Sequence, residues 1–135
     1  TLKDIGIEVD MNCTADNNSI LEDPTAWDVY AMANVQAPTG DPEYWFTVFA
    51  TSDATKNSGK YSSAKLDELE AQLSKEFDND KRAELAVQMQ QTILDDNAFV
   101  FCSFLKMSMI SRSNVTGYES HACDYYQVTA DLDIN

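Results

Sequence analysis

Residues able to do chemistry are few in this chain, and they are scattered. The single histidine, His121, stands two residues before Cys123, a pairing of potential general base and thiol nucleophile. In an extended segment, residues two apart share a face at a separation of roughly 6–7 Å, beyond the hydrogen-bond reach that activation requires. A partly exposed tail histidine beside an unrelated thiol is the plainer reading, and a Cys/His hydrolase stands as the third of three functional classes. Cys13, Cys102 and Cys123 are odd in number and lack CxxC spacing, which argues against a zinc site and against a disulfide framework. Cys102 lies in an apolar run and is expected to be a buried, inert small hydrophobe. Asp16-Asn17-Asn18 and Asp78-Asn79-Asp80 supply oxygen ligands, but neither run has the glycine at the sixth position that a calcium loop needs. Gly6, Gly40, Gly59 and Gly117 are too dispersed to cradle a phosphate. Acid pairs such as Asp95-Asp96 carry no signature in a chain with 23 Asp and Glu residues. Neither a catalytic centre nor a metal or cofactor is therefore expected.

One stretch does gather binding chemistry. In Gln36-Ala37-Pro38-Thr39-Gly40-Asp41-Pro42, two prolines and a glycine break any ladder between an apolar run and the aromatic cluster Tyr44, Trp45, Phe46 and Phe49. Open α/β sheets bind ligands at such places, beyond the carboxyl end of a central strand. The plain alternative is an ordinary strand-to-helix turn with Tyr44, Trp45 and Phe46 as core.

The elements that would position this stretch follow from periodicity. Ile5, Ile7, Val9 and Met11 alternate with polar residues and predict a first strand. A polar loop over residues 14–24 holds room for a short helix around Ser19-Ile20-Leu21. Residues 27–35 are apolar on both faces and predict a central second strand. Asp41-Pro42 is a good start for a short helix over residues 43–51. Leu66, Leu69, Leu73 and Phe77 recur at helical spacing behind Ser62 and Ser63. A second amphipathic helix begins at Asp78 or Asn79, carries Leu85, Ala86, Met89, Ile93 and Leu94, and ends at Asp95-Asp96-Asn97. Residues 98–110 are nearly continuous apolar and predict one long strand or two in tandem. Val115-Thr116-Gly117-Tyr118 and residues 124–128 predict a turn and a last short strand.

Bulk composition sets the outer limits. One core of ordinary domain size fits 135 residues, of which 44% are hydrophobic and 24% charged. Nine basic against 23 acidic residues leave a formal charge of −14, which repels nucleic acid and anionic lipid and most simply serves solubility. No apolar stretch approaches the roughly 18 residues of a membrane span. The first residues, Thr1-Leu2-Lys3-Asp4, suggest a piece of a longer polypeptide.

The run from Asn79-Asp80-Lys81-Arg82-Ala83-Glu84-Leu85 through Gln88, Gln90-Gln91 and Ile93 to Asp95-Asp96-Asn97-Ala98-Phe99-Val100-Phe101 resembles the helix-to-strand signature of extracellular solute-binding proteins of the peptide/nickel/opine transporter class. Leu2-Lys3-Asp4-Ile5-Gly6-Ile7-Glu8-Val9 resembles that family's helix end and strand, and Trp27-Asp28-Val29 through Pro38-Thr39-Gly40-Asp41-Pro42-Glu43-Tyr44-Trp45-Phe46 resembles its strand and cleft loop, in the same order. The resemblance implies an α/β fold, a mixed β-sheet flanked by helices, as part of lobe II of a two-lobed protein resembling periplasmic binding proteins. Residues 1–108 would belong to that lobe, with a hinge near residues 105–108 and residues 109–135 returning to lobe I. It further implies a monomeric, non-enzymatic, extracytoplasmic lipoprotein without cofactor, anchored to the membrane only outside this segment. Such a protein captures an oligopeptide or a nickel chelate between its lobes and presents it to an ABC permease. Asn34, Gln36 and Thr39 are the expected polar ligand contacts, Asp41 the cap that holds the loop, and Tyr44 a wall of the cleft. Pro38 falls near the place where many peptide binders of the family carry an acidic residue for the ligand's amino terminus. The rival class is a stand-alone acidic protein-interaction domain.

Overall fold

Residues 1–15, 18–106, 108–121 and 128–135 are described by a computed structural model. They fall into two units, Thr1–Met32 and Ala33–Asn135.

The first unit opens with a 3-10 turn, Leu2–Ile5, ended by Gly6 at φ 82°, a left-handed conformation that glycine adopts without strain. Helix α1, Asn18–Glu22, forms where Ser19-Ile20-Leu21 predicts it. After it the Asp23 carboxylate accepts the N–H and the hydroxyl of Thr25 at 2.9 and 2.7 Å, closing a turn. None of the described residues of this unit is buried.

The second unit holds the core. Asp41 accepts the Glu43 N–H at 2.9 Å and so starts helix α2, Glu43–Trp45, as the Asp-Pro pair predicts. The helix widens into a π turn, Phe46–Ala50, closed by the Thr51 N–H on the Phe46 carbonyl at 3.0 Å. An i→i+5 turn brings residues four and five apart onto one side, so Trp45, Phe46, Phe49 and Ala50 are all buried. The loop that follows is held by Asn57, whose amide donates to the carbonyls of Thr51 and Tyr61 at 3.1 and 2.6 Å and accepts the Tyr61 N–H at 3.0 Å. Helix α3, Ala64–Leu73, and helix α4, Asn79–Asp95, pack on each other across a short link. Leu66, Leu69 and Leu73 from α3 and Ala86, Met89 and Ile93 from α4 meet the aromatic group in one core. Leu66, Leu73, Met89 and Ile93 are fully buried, each contributing about 1.5–3 kcal/mol relative to exposure. Asp78 caps α4, accepting from Asp80 and Lys81 N–H at 3.1 Å each, and Asn97 at φ 52° ends it. Phe77, expected on the α3 stripe, lies past the end of that helix and is 91% exposed.

The strands depart from expectation. Among the described residues the one sheet is two-stranded, β1 Val115–Thr116 against β2 Asp133–Ile134, antiparallel with Val115 opposite Ile134 and Thr116 opposite Asp133. Gly117, at φ 76°, follows β1 where a Cβ would collide with the Asp131 carbonyl. Val115-Thr116, expected in a turn, is strand β1, with the turn falling at Gly117, and its partner is Asp133–Ile134; the expected strand at 124–128 lies outside the described residues except for Val128. Residues 5–11, 27–35 and the described part of 98–110 form no strand. Alternation selects a face only where a neighbouring strand completes the ladder, and without one the backbone bonds to water. Ile5, Met11, Val29, Val100, Phe104 and Ile110 are accordingly exposed, and so is Cys102, which was expected in a core. Among the described residues the chain mixes helices with a two-stranded sheet, only loosely an α/β arrangement.

Candidate functional site

Two recesses lie in the second unit. The smaller, about 260 Å³, is polar and lined by Thr51, Ser52, Asp53, Asp67 and Glu70, and its Asp67 carboxylate already accepts the Ser52 N–H at 2.9 Å. Burial, and then the negative charges of Glu43, Asp53 and Asp67, push the Glu70 carboxyl above its ordinary value.

The larger is a groove of about 380 Å³. The rim turn contributes Gln36, Ala37 and Pro42 to its lining, α2 and the π turn Trp45 and Phe46, α4 Gln90, Ile93 and Leu94, and the segment after α4 Phe101 and Phe104. Trp45 is the hub of the aromatic packing, with ring centroids 5.2 Å from Phe99 and 5.8 Å from Phe101. The rim turn is closed by the Gly40 N–H on the Ala37 carbonyl at 3.0 Å, with Gly40 at φ 80°.

A charge cluster pins the end of that turn. Arg82 in the first turn of α4 sends one guanidinium nitrogen to both Asp41 carboxylate oxygens, at 2.9 and 2.7 Å, and to Glu43 Oε2 at 2.7 Å. Its other terminal nitrogen donates to the Leu73 and Glu76 carbonyls at 2.8 Å each. A cation so near a helix N-terminus opposes that helix's dipole. Here it is compensated by two carboxylates and by the last carbonyl of α3, itself the negative end of a helix. Burial raises the Asp41 pKa, but the Glu43 N–H and Arg82 outweigh it and hold the carboxyl below its ordinary range. Glu43 and Asp41 hold Arg82 still more firmly protonated.

No family model, curated protein or solved structure matches the chain.

The five expected contact residues separate. Gln36 lines the groove, and Asp41 is the cap and anchor of the rim. Asn34 and Thr39 are exposed and line neither recess, and Tyr44, 38% exposed, leaves the wall to its neighbour Trp45. His121 is exposed, while Cys123 lies outside the described residues, as does any His121–Cys123 pairing. Arg82, Gln90, Phe101 and Phe104 were not anticipated at the site. Arg82 alone gave a signal, as a cation at the unfavourable end of a helix.

Among the described residues no group of three or more His, Cys, Asp or Glu residues could hold a metal ion, and no helix is long and apolar enough to cross a membrane.

Proposed function

We propose that the chain is a ligand-binding segment of an extracytoplasmic solute-binding protein of the peptide/nickel transporter class, working with an ABC permease and without catalysis. The observation that carries this reading is the apolar groove rimmed by Gln36, Ala37 and Pro42, the turn in which the sequence resembles that family's cleft loop. Aromatic walls with two carboxamides, Gln36 and Gln90, suit an uncharged apolar group flanked by hydrogen-bonding atoms. A peptide side chain fits that description, whereas a metal ion asks for ligands of another kind. Among the ligands of the class, peptide is therefore preferred over nickel chelate.

Titration calorimetry tests the reading directly, with tri- and tetrapeptides bearing one aromatic side chain and with nickel citrate. Peptide binding that weakens about tenfold in Gln36→Ala, with far-UV circular dichroism unchanged, is the expected result, the size of one lost hydrogen bond. Absence of heat with any peptide at millimolar concentration refutes it. A second reading, an acidic protein-interaction domain, is favoured by the exposed apolar run of Val100, Phe104 and Ile110 in a chain of charge −14. Concentration-dependent self-association or saturable binding to basic proteins, in the absence of peptide binding, would support it.

A further inference from the structure

We infer that Arg82 is a positioning residue for the groove: its guanidinium, bonded at once to Asp41, Glu43 and the Leu73 and Glu76 carbonyls, latches the Gln36–Pro42 rim to the α3–α4 pair and sets how far the groove stands open. The inference rests on reading this groove as the ligand site, but its geometry is independent of any ligand. Arg82 is not itself a lining residue. Its side chain is 16% exposed and reaches Asp41 of the rim and Glu43 of α2, the two residues that bracket Pro42. Upstream of Asp41 the turn is closed on itself by the Gly40 N–H on the Ala37 carbonyl. The guanidinium contact ties the rim's downstream end to α4, which also lines the groove, beside the burial of Trp45 and Phe46 in the core. Lysine cannot reproduce it, because a single ammonium does not span two carboxylates and two carbonyls.

The contact also makes the latch acid-sensitive. The charged groups facing it are Asp41 and Glu43 on the rim and α2, Glu70 on α3, whose carboxyl feels Glu43, and Glu76, Asp78 and Lys81 at the α3–α4 link. Glu76 and Asp78 are engaged locally, on the Phe77 and Asp78 N–H and on the Asp80 and Lys81 N–H, which leaves Asp41 and Glu43 as the partners of Arg82. Since Asp41 titrates below its ordinary 3.8, the latch holds through neutral and mildly acidic pH and releases only in stronger acid.

Trp45, in the groove wall, reports the opening without added ligand. In a Trp27→Phe background, where Trp45 is the single tryptophan, acrylamide quenching is measured for the parent, Arg82→Met, Arg82→Lys, Asp41→Asn and the Arg82→Met/Asp41→Asn double variant. Quenching is expected to rise about threefold in Arg82→Met, less in Arg82→Lys, and no further in the double variant than in Arg82→Met, because both changes break one contact. In acid, quenching rises in the parent as Asp41 protonates and stays flat in Arg82→Met. Unchanged quenching in the single variants, additive effects in the double, or an identical acid profile in parent and Arg82→Met each overturn the latch. Should Arg82→Met fail to fold, Asp41→Asn, which removes the rim's carboxylate and leaves Arg82 on Glu43 and its two carbonyls, decides alone. A latch that behaves as stated in a chain that binds no peptide leaves this inference standing and removes the proposed function.

Discussion

Glu70 carries its charge at a cost. Its carboxyl lies in the small polar recess, where burial and the neighbouring charges of Glu43, Asp53 and Asp67 outweigh the help of Lys75 and raise its pKa above 4.5. A carboxyl whose folded pKa exceeds its unfolded value stabilises the fold at pH below the unfolded value, and that contribution is lost as pH rises through the folded one. Glu70→Gln is therefore expected to raise the melting temperature at pH 7, with the advantage shrinking to nothing as the pH is brought below the ordinary carboxylate range. Differential scanning calorimetry across that range checks it, and a lower melting temperature at pH 7 contradicts it. Nothing in the local sequence marks Glu70, because Asp53 and Glu43 reach it through the fold. Arg82 is marked only as a cation at the start of a helix: Asp41 is readable as a cap from Asp-Pro alone, but that the two pair across 41 residues is not. Gln36 was legible because the turn that exposes it is written in Pro and Gly.

At the scale of elements, local rules succeeded where the element is self-sufficient. Helix α4 closes its own hydrogen bonds, and its start is fixed by Asp78, which accepts two of the otherwise unpaired first-turn N–H groups. Asp78→Ala is expected to destabilise the protein by about 1 kcal/mol, and Asp78→Asn or Asp78→Ser by less, as measured by urea denaturation. Equal losses in all three would mean that the cap does not hold the helix. Helix α3 was equally legible from Leu66, Leu69 and Leu73, but its end was not. Glu76 accepts the N–H groups of Phe77 and Asp78 at 2.9 Å each, breaking the helical pattern before Phe77 can reach the stripe. Strands fail the test of self-sufficiency altogether. The alternation at Ile5, Ile7, Val9 and Met11 states which side chains would share a face, and says nothing about whether another strand lies beside them.

For the molecule as a whole, the consequence is an uneven distribution of stability. Among the described residues every buried core residue lies between Trp45 and Ile93, and beyond Phe101, whose ring still packs on Trp45, the long apolar run leaves it. Val100 and Phe104 are each 86% exposed, so the run adds little burial to offset the entropy of ordering it. Local opening is easiest where buried contacts and backbone hydrogen bonds are few, and hardest where helices pack face to face. Native-state hydrogen exchange is expected to divide the chain accordingly: amides of Met89 and Ile93 open only with global unfolding, whereas those of residues 100–106 exchange within roughly tenfold of the unprotected rate. The measurement also weighs the sheet that the sequence led one to expect over residues 98–110. A strand held in a ladder would protect alternate or successive amides as strongly as α4, and protection of that kind at residues 100–106 would restore the sheet and overturn the helical core as the sole seat of stability.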